Sequence, residues 1–206
     1  MSSTASCATA PRLCLASASP RRRALLEQIG VPHSVRPAHI DERRAPGEAP
    51  RDYVLRVARA KALAVAAAGE PLPVLAADTA VVLGEVVYGK PDDRAAGLAM
   101  LEALSGRTHQ VLTAVALARG ATLRTALSVS EVQFRATSAA ERAAYWASGE
   151  PCDKAGAYAI QGRGAVFVEW LRGSFSGVMG LPLFETAALL DAAGIGSWLE
   201  TDGARP

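Results

Sequence analysis

The stretch Leu13-Cys14-Leu15-Ala16-Ser17-Ala18-Ser19-Pro20-Arg21-Arg22-Arg23 decides the fold. Its first four residues are a short apolar run of the kind that makes a buried strand. The run stops at small polar residues, and a helix opens behind them. Ser19 suits the N-cap, Pro20 the first helical position and Gly30 the C-terminal stop, with Leu25, Leu26 and Ile29 as the apolar face. The chain therefore contains at least one strand–turn–helix.

Working outward, residues 31–40 read as extended and 41–50 as an exposed loop rich in charge and proline. Residues 51–68 form a helix with Tyr53, Val54, Val57 and Ala64 on one side, ended by Gly69. Residues 74–77 make a second buried strand that runs into Asp78, and residues 81–83 and 86–88, split by Gly84-Glu85, form a hairpin. Asp92 caps a helix carrying Leu98, Leu101 and Leu104 and stopping at Gly106. Two long strands, 109–118 and 123–134, flank Gly120, and Ser138-Ala139-Ala140-Glu141 is a capping box for a short helix ending near Gly149. A strand at 165–171 and a helix at 182–193, closed by Gly194, complete the chain. This mixture predicts an α/β fold with a mixed sheet.

The chain has 206 residues, half of them apolar and a fifth charged, enough for one domain with its own core. No apolar run approaches the ~18 residues of a membrane-spanning helix. Twenty-two basic against 20 acidic side chains give a net charge of +2, too balanced for a general nucleic-acid binder. Any anion site is therefore local. Cys7, Cys14 and Cys152 are odd in number and lack a C-x-x-C spacing, which argues against a disulfide framework or a cysteine zinc site. The first 12 residues carry no apolar signal segment, so the expected compartment is the cytoplasm.

Three segments carry chemistry. Arg21, Arg22 and Arg23 occupy the first turn of a helix, where the backbone dipole already presents positive charge and a cation is unfavourable by roughly 0.3–1 kcal/mol. Either they splay into solvent, or an anion docks there on free N–H groups, the Ser17 and Ser19 hydroxyls and guanidinium forks; phosphate fits that description. Asp78-Thr79, placed at the end of an apolar strand, either opens a turn, holds Mg²⁺ or Mn²⁺, or takes a proton from a water nucleophile. Glu42 and Asp41 can complete a hard-metal site, and Lys61 and Lys90 together can neutralise a polyphosphate. In Asp153-Lys154-Ala155-Gly156-Ala157-Tyr158-Ala159-Ile160-Gln161-Gly162, the small residues suggest close backbone approach to a ligand. The Gln161 amide can read a base edge. The histidines lack ligand spacing and no serine sits in G-x-S-x-G, which discounts a zinc hydrolase and a serine esterase.

Five stretches stand in a fixed order: residues 13–22; Ala77-Asp78-Thr79 with Gly89-Lys90-Pro91; Leu104-Ser105-Gly106-Arg107-Thr108-His109; Glu150-Pro151 with residues 153–158; and Gly180-Leu181-Pro182. In that order they resemble the Maf-like family of nucleoside triphosphate pyrophosphatases, over nearly the whole chain. The resemblance implies hydrolysis of the α–β bond of a nucleotide, releasing the monophosphate and pyrophosphate with a divalent metal. It implies an elongated mixed sheet flanked by helices, two lobes with a central cleft, and a homodimer. By position Asp78 matches the proton acceptor, and Ser17, Arg22, Glu42, Lys61 and Lys90 match the phosphate- and metal-handling set, with Asp78 and Glu42 holding Mg²⁺ or Mn²⁺.

Arg21, Thr79 and Gln161 fall where base preference is marked, and their combination resembles the branch acting on dTTP and UTP. The branch preferring 7-methyl-GTP carries Trp, Gln and Glu there. A uracil or thymine edge offers O4 and O2 acceptors and an N3–H donor, which an amide and a guanidinium can satisfy; a cationic purine favours an aromatic face and a carboxylate. Departures are small: Cys152, the run Ser174-Phe175-Ser176-Gly177, and the N-terminal extension. The expected organisation is a flexible extension over 1–12, one domain over 13–196 and a tail over 197–206. The rival expectations are a 7-methyl-GTP or broad modified-nucleotide pyrophosphatase, and a non-catalytic regulator of septum formation.

Overall fold

A computed structural model describes residues 10–196; the expected tail, Cys7 and most of the expected N-terminal extension lie outside the described residues. Among the described residues seven strands form one mixed sheet. β1 (Leu13–Leu15) lies between β2 (His33–Val35) and β3 (Val74–Leu83), parallel to both. β5 (Thr108–Arg119), β6 (Thr122–Phe134) and β7 (Val168–Arg172) continue the sheet antiparallel to their neighbours, and β4 (Val86–Tyr88) folds back on the far end of β3. Among the described residues six helices flank the sheet: α1 (Pro20–Gln28), α2 (Pro50–Ala67), α3 (Arg94–Leu104), α4 (Ala139–Ala147), α5 (Phe175–Met179) and α6 (Leu183–Asp191). Among the described residues no helix is long and apolar enough to cross a membrane.

The two-residue period of β3 and β5 divides the core. Val74, Ala76, Ala80 and Val82 of β3 pack with Leu112, Ala114 and Ala116 of β5 against Val54, Ala58, Ala62 and Val65 of α2. On the opposite face, Leu75, Ala77, Val115 and Leu117 pack against α1 and α6 through Leu25, Leu26, Leu189 and Leu190. Farther along that same face, Val81 and Val111 pack with Leu101, Leu104, Phe134, Tyr145 and Tyr158. Between these two clusters the register sets Thr79 opposite Thr113 and Thr113 opposite Ser128. This row of hydroxyls separates the two lobes on that face, as the fold expectation requires.

Several expectations are corrected. Asp78 does not end a strand: it pairs with Ala114 in the middle of β3, because the ladder with β5 runs unbroken from Val74 to Val82 and overrides the poor strand propensity of aspartate. The cap of α3 is Asp93, whose carboxylate accepts from the Ala96 N–H at 2.8 Å; burying Gly97, Leu101 and Leu104 starts the first turn at Arg94, one residue too late for Asp92. The strand expected from 165 begins at Val168, since the preceding residues form a 3₁₀ turn whose Arg163 and Gly164 N–H groups go to Glu150. Only His33–Val35 of the extended segment joins the sheet, and the short helix α5 was not expected. The Ser138–Glu141 capping box forms as read.

Candidate active site

β1 is three residues long and β3 is ten. Pairing with β1 ends at Leu75, pairing with β4 begins at Val81, and the stretch between carries no strand on that edge. The chain leaves β1 there to enter α1. The resulting gap is the mouth of a cleft of about 560 Å³, lined by Ser17, Ser19, Arg21, Arg22, Glu42, Lys61, Asp78, Thr79, Lys90 and Gln161 but not by Asp41 or Arg23. Ser17 and Ser19 come from the β1–α1 turn, Arg21 and Arg22 from the first turn of α1, Glu42 and Lys61 from the loop and helix α2, Asp78 and Thr79 from β3, Lys90 from the segment after β4, and Gln161 from the loop before β7. Asp41 instead pairs with Arg43 at 2.7 Å in solvent.

The alternation along β3 sends consecutive residues to opposite faces. Asp78 faces α2, where Lys61 donates to its Oδ1 at 2.9 Å and to Glu42 Oε2 at 2.7 Å. Burial pushes the Asp78 carboxyl above the usual range, while Lys61 and then Arg22 pull against it. Its Oδ2 is buried and, among the described residues, has no hydrogen-bond partner. A carboxylate with one oxygen fixed and the other free, at a raised pKa, has the character of a general base. Glu42 is half exposed and meets the same ammonium, so two carboxylates converge on one point. Among the described residues no group of three or more acidic, histidine or cysteine side chains could hold a metal.

Thr79 faces the other way. Arg22 donates from Nη2 to Thr79 Oγ1 at 3.2 Å, from Nη1 to Ser17 Oγ at 3.3 Å and from Nε to the Gly180 carbonyl at 2.7 Å. All three acceptors are neutral, so its charge remains available to an anion. Thr113 backs this arrangement, with its hydroxyl 3.0 Å from that of Thr79 and donating to the Gly177 carbonyl at 2.8 Å. Gly180, at φ +111, holds the closest approach: a Cβ there would stand 3.4 Å from Arg22 Nε and 3.5 Å from Thr79 Oγ1.

The arginine triplet is divided by the helix. Arg23 pairs with Glu27 at 3.3 Å on the outer face, as solvated arginines do. Arg22 turns into the cleft, and Arg21 reaches toward Asp153 at 4.0 Å across it. Ser19 occupies the N-cap of α1 but its side chain caps nothing; its own N–H donates to Ser17 Oγ at 3.2 Å. The first-turn N–H groups thus lack a side-chain acceptor and present an anion site. Lys90 and Gln161 are exposed on the cleft rim and, among the described residues, make no hydrogen bond or ion pair.

Two readings of this segment change. The small residues 155–157 serve the fold: Gly156, at φ +67, would place a Cβ 2.9 Å from Val81, and its N–H donates to Gly89 at 3.0 Å. Tyr53, assigned to the apolar side of α2, lines the cleft instead. Burial first, then the neighbouring Asp78 and Glu42 charges, push its hydroxyl up to about 12. The cue in the sequence was Lys61, eight residues on, which marks that face of α2 as wet.

Comparison with known proteins agrees with this geometry. The family model described as Maf-like protein matches residues 12–193. The chain is 59% identical to a dTTP/UTP pyrophosphatase of Anaeromyxobacter dehalogenans (strain 2CP-1 / ATCC BAA-258), over 90% of this chain and 95% of that protein. It is 55% identical to a dTTP/UTP pyrophosphatase of Methylococcus capsulatus, over 95% of this chain and 97% of that one. A dTTP/UTP pyrophosphatase of Bordetella parapertussis is 53% identical, over 95% of this chain and 99% of its own length. With a match that runs from β1 to the end of α6, the chain belongs to the Maf-like protein family.

Proposed function

We propose that the protein hydrolyses dTTP and UTP to the nucleoside monophosphate and pyrophosphate, with residues 13–196 as the catalytic unit. The observation that carries this reading is Asp78, half fixed by Lys61 and half free, in one cleft with Arg22, Lys90 and the uncapped start of α1. A polyphosphate suits such a cleft, and the names of the relatives supply the nucleotides.

In this mechanism Asp78 Oδ2 accepts a proton from water as the water oxygen bonds to the α-phosphorus. The bond from that phosphorus to the α–β bridging oxygen breaks, and pyrophosphate leaves with the electron pair. Arg22, Lys61, Lys90 and the Ser17 and Ser19 hydroxyls hold the phosphates and stabilise charge gathering on the leaving group. Glu42 and Asp78 fit Mg²⁺ or Mn²⁺: a hard cation commonly takes one or two carboxylates and fills its remaining positions with water and substrate phosphate. A cation held by these two carboxylates would supply charge that polarises the phosphoryl oxygens. Arg21, Thr79 and Gln161 select the base, with the Gln161 amide matched to the O4 acceptor and N3–H donor of uracil or thymine. The balanced charge of the chain fits a small-molecule substrate rather than nucleic acid, and the reading includes a homodimer in the cytoplasm.

The test is pyrophosphate release from dTTP, UTP, CTP and 7-methyl-GTP with Mg²⁺ and with Mn²⁺. Preference for dTTP and UTP is expected, and Arg21→Trp should move it toward the purine. Preference of the parent for 7-methyl-GTP, or release from none of the four, would reject the proposal.

A further inference from the structure

The loop from Ala159 to Gly164 carries Gln161, and its conformation is fixed from outside. Tyr145 of α4 and Glu150, at the start of the 3₁₀ turn Glu150–Asp153, take up the backbone donors on both sides of Gln161. The Ala159 N–H donates to Tyr145 Oη at 3.0 Å. The Arg163 N–H donates to Glu150 Oε2 at 2.8 Å and the Gly164 N–H to Glu150 Oε1 at 3.1 Å. Tyr145 Oη closes the circuit by donating to Glu150 Oε1 at 2.7 Å. Glu150 thus receives three hydrogen bonds as a carboxylate. Burial pushes its pKa up, but the bonds from Tyr145, Arg163 and Gly164 outweigh burial and hold it below the ordinary value.

Sterics tighten the same contact. A Cβ on Gly162 would stand 2.4 Å from Glu150 Oε2, and one on Gly164 would stand 2.7 Å from Tyr145 Oη. Glycine at these positions lets the loop backbone close onto the two side chains. Tyr145 is 5% exposed, and its ring meets Phe167 edge-on at 5.2 Å, so the clamp is anchored in the lobe core. Gln161 itself makes no hydrogen bond among the described residues and projects at the cleft rim. Its amide is aimed only by the backbone on either side.

We propose that Glu150, with Tyr145, is the positioning residue that sets base discrimination by holding the Gln161 loop. The proposal rests on the reading of Gln161 as the residue that pairs with the base edge. A clamp whose role was only structural would weaken all substrates alike. A clamp that aims Gln161 acts on the preference for uracil over cytosine, whose O4/N3–H edge is replaced by N4 donor and N3 acceptor.

The experiment measures kcat and KM for UTP and CTP in the parent, Glu150→Gln, Tyr145→Phe, Gln161→Ala and the double variant Glu150→Gln/Gln161→Ala. Glu150→Gln is expected to lower the UTP/CTP ratio of kcat/KM by about tenfold, the scale of one lost charge-assisted hydrogen bond, chiefly through KM for UTP. Tyr145→Phe, which removes a single hydroxyl, should move it in the same direction and carries the test if Glu150→Gln does not fold. In the Gln161→Ala background Glu150→Gln should leave the ratio unchanged, the mark of two residues acting as one. If Gln161→Ala lowers the ratio but neither clamp variant does, the clamp is overturned while the reading of Gln161 stands. If Gln161→Ala leaves the ratio at the parental value, the reading of Gln161 fails and takes the clamp with it.

Discussion

Replacing Lys61 with methionine tests the electrostatics of the cleft most directly. Lys61 and Asp78 are 8% and 6% exposed, and the ammonium lies 2.9 Å from Asp78 and 2.7 Å from Glu42. Methionine keeps most of the volume and removes the charge, leaving Asp78 buried without its counter-ion. Removing one partner of a buried pair costs about 3–5 kcal/mol, and the half-exposed Glu42 places this site at the lower end. At about 3 kcal/mol the melting temperature should fall by roughly 6–12 °C for a domain of this size.

The sign with pH follows from Asp78. Burial already raises its pKa, with Lys61 the first group opposing it, so losing Lys61 raises it further. The penalty is therefore present at alkaline pH and fades as pH falls through the raised value, where Asp78 takes up a proton and no longer needs a counter-ion. Melting at pH 8 and pH 5 should show a large deficit at the first and a small one at the second. The acid limb of the pH–rate profile for pyrophosphate release should shift to higher pH. An equal melting deficit at both values, with an unmoved acid limb, would refute the account of the Lys61–Asp78 pair.

Asp78→Asn should abolish pyrophosphate release while leaving the protein folded, since Lys61 keeps Glu42 as a counter-ion at 2.7 Å; the activity assay with circular dichroism beside it checks both. His109 is buried, 2.9 Å from the Tyr158 hydroxyl, and burial lowers its pKa to about 4 from 6.5. The native state therefore resists its protonation, and stability on the order of 3 kcal/mol, complete above pH 6.5, should be lost as pH falls toward 4. Chemical denaturation of the parent and His109→Gln across that window would check this, the variant showing the flatter curve. Gly97→Ala would drive a Cβ to 2.0 Å from the Trp146 ring where α3 meets α4, and overpacking of this kind costs about 1–3 kcal/mol in a denaturant titration.

Much of this was written locally in the sequence. The turn from Leu15 to Pro20, the capping box at Ser138 and the glycine stops at Gly30, Gly106 and Gly194 depend on neighbours within a few residues, and each stands where the residues put it. The candidate residues of the cleft were legible because their chemistry conflicted with local rules: arginines at a positive helix end, a lysine in an alanine-rich helix, an aspartate after an apolar strand. What the sequence left open was register. Asp78 looked like the end of a strand, since nothing nearby reveals that the ladder with β5 carries on through it to Val82. The same holds for Glu150, a plain loop acid until Arg163 and Gly164 are folded onto it.

The tertiary structure alone decided that β1 stops six positions short of where β4 starts along β3, opening the sheet edge at the mouth of the cleft. It alone sent Asp78 to Lys61 on one face and Thr79 to Arg22 on the other, and brought the Gly180 carbonyl to a guanidinium 158 residues away. Caps and turns are settled by hydrogen bonds inside one short segment. Strand pairing and side-chain convergence depend on which distant segments share the core, and that is fixed only when the apolar faces of the whole chain are buried together.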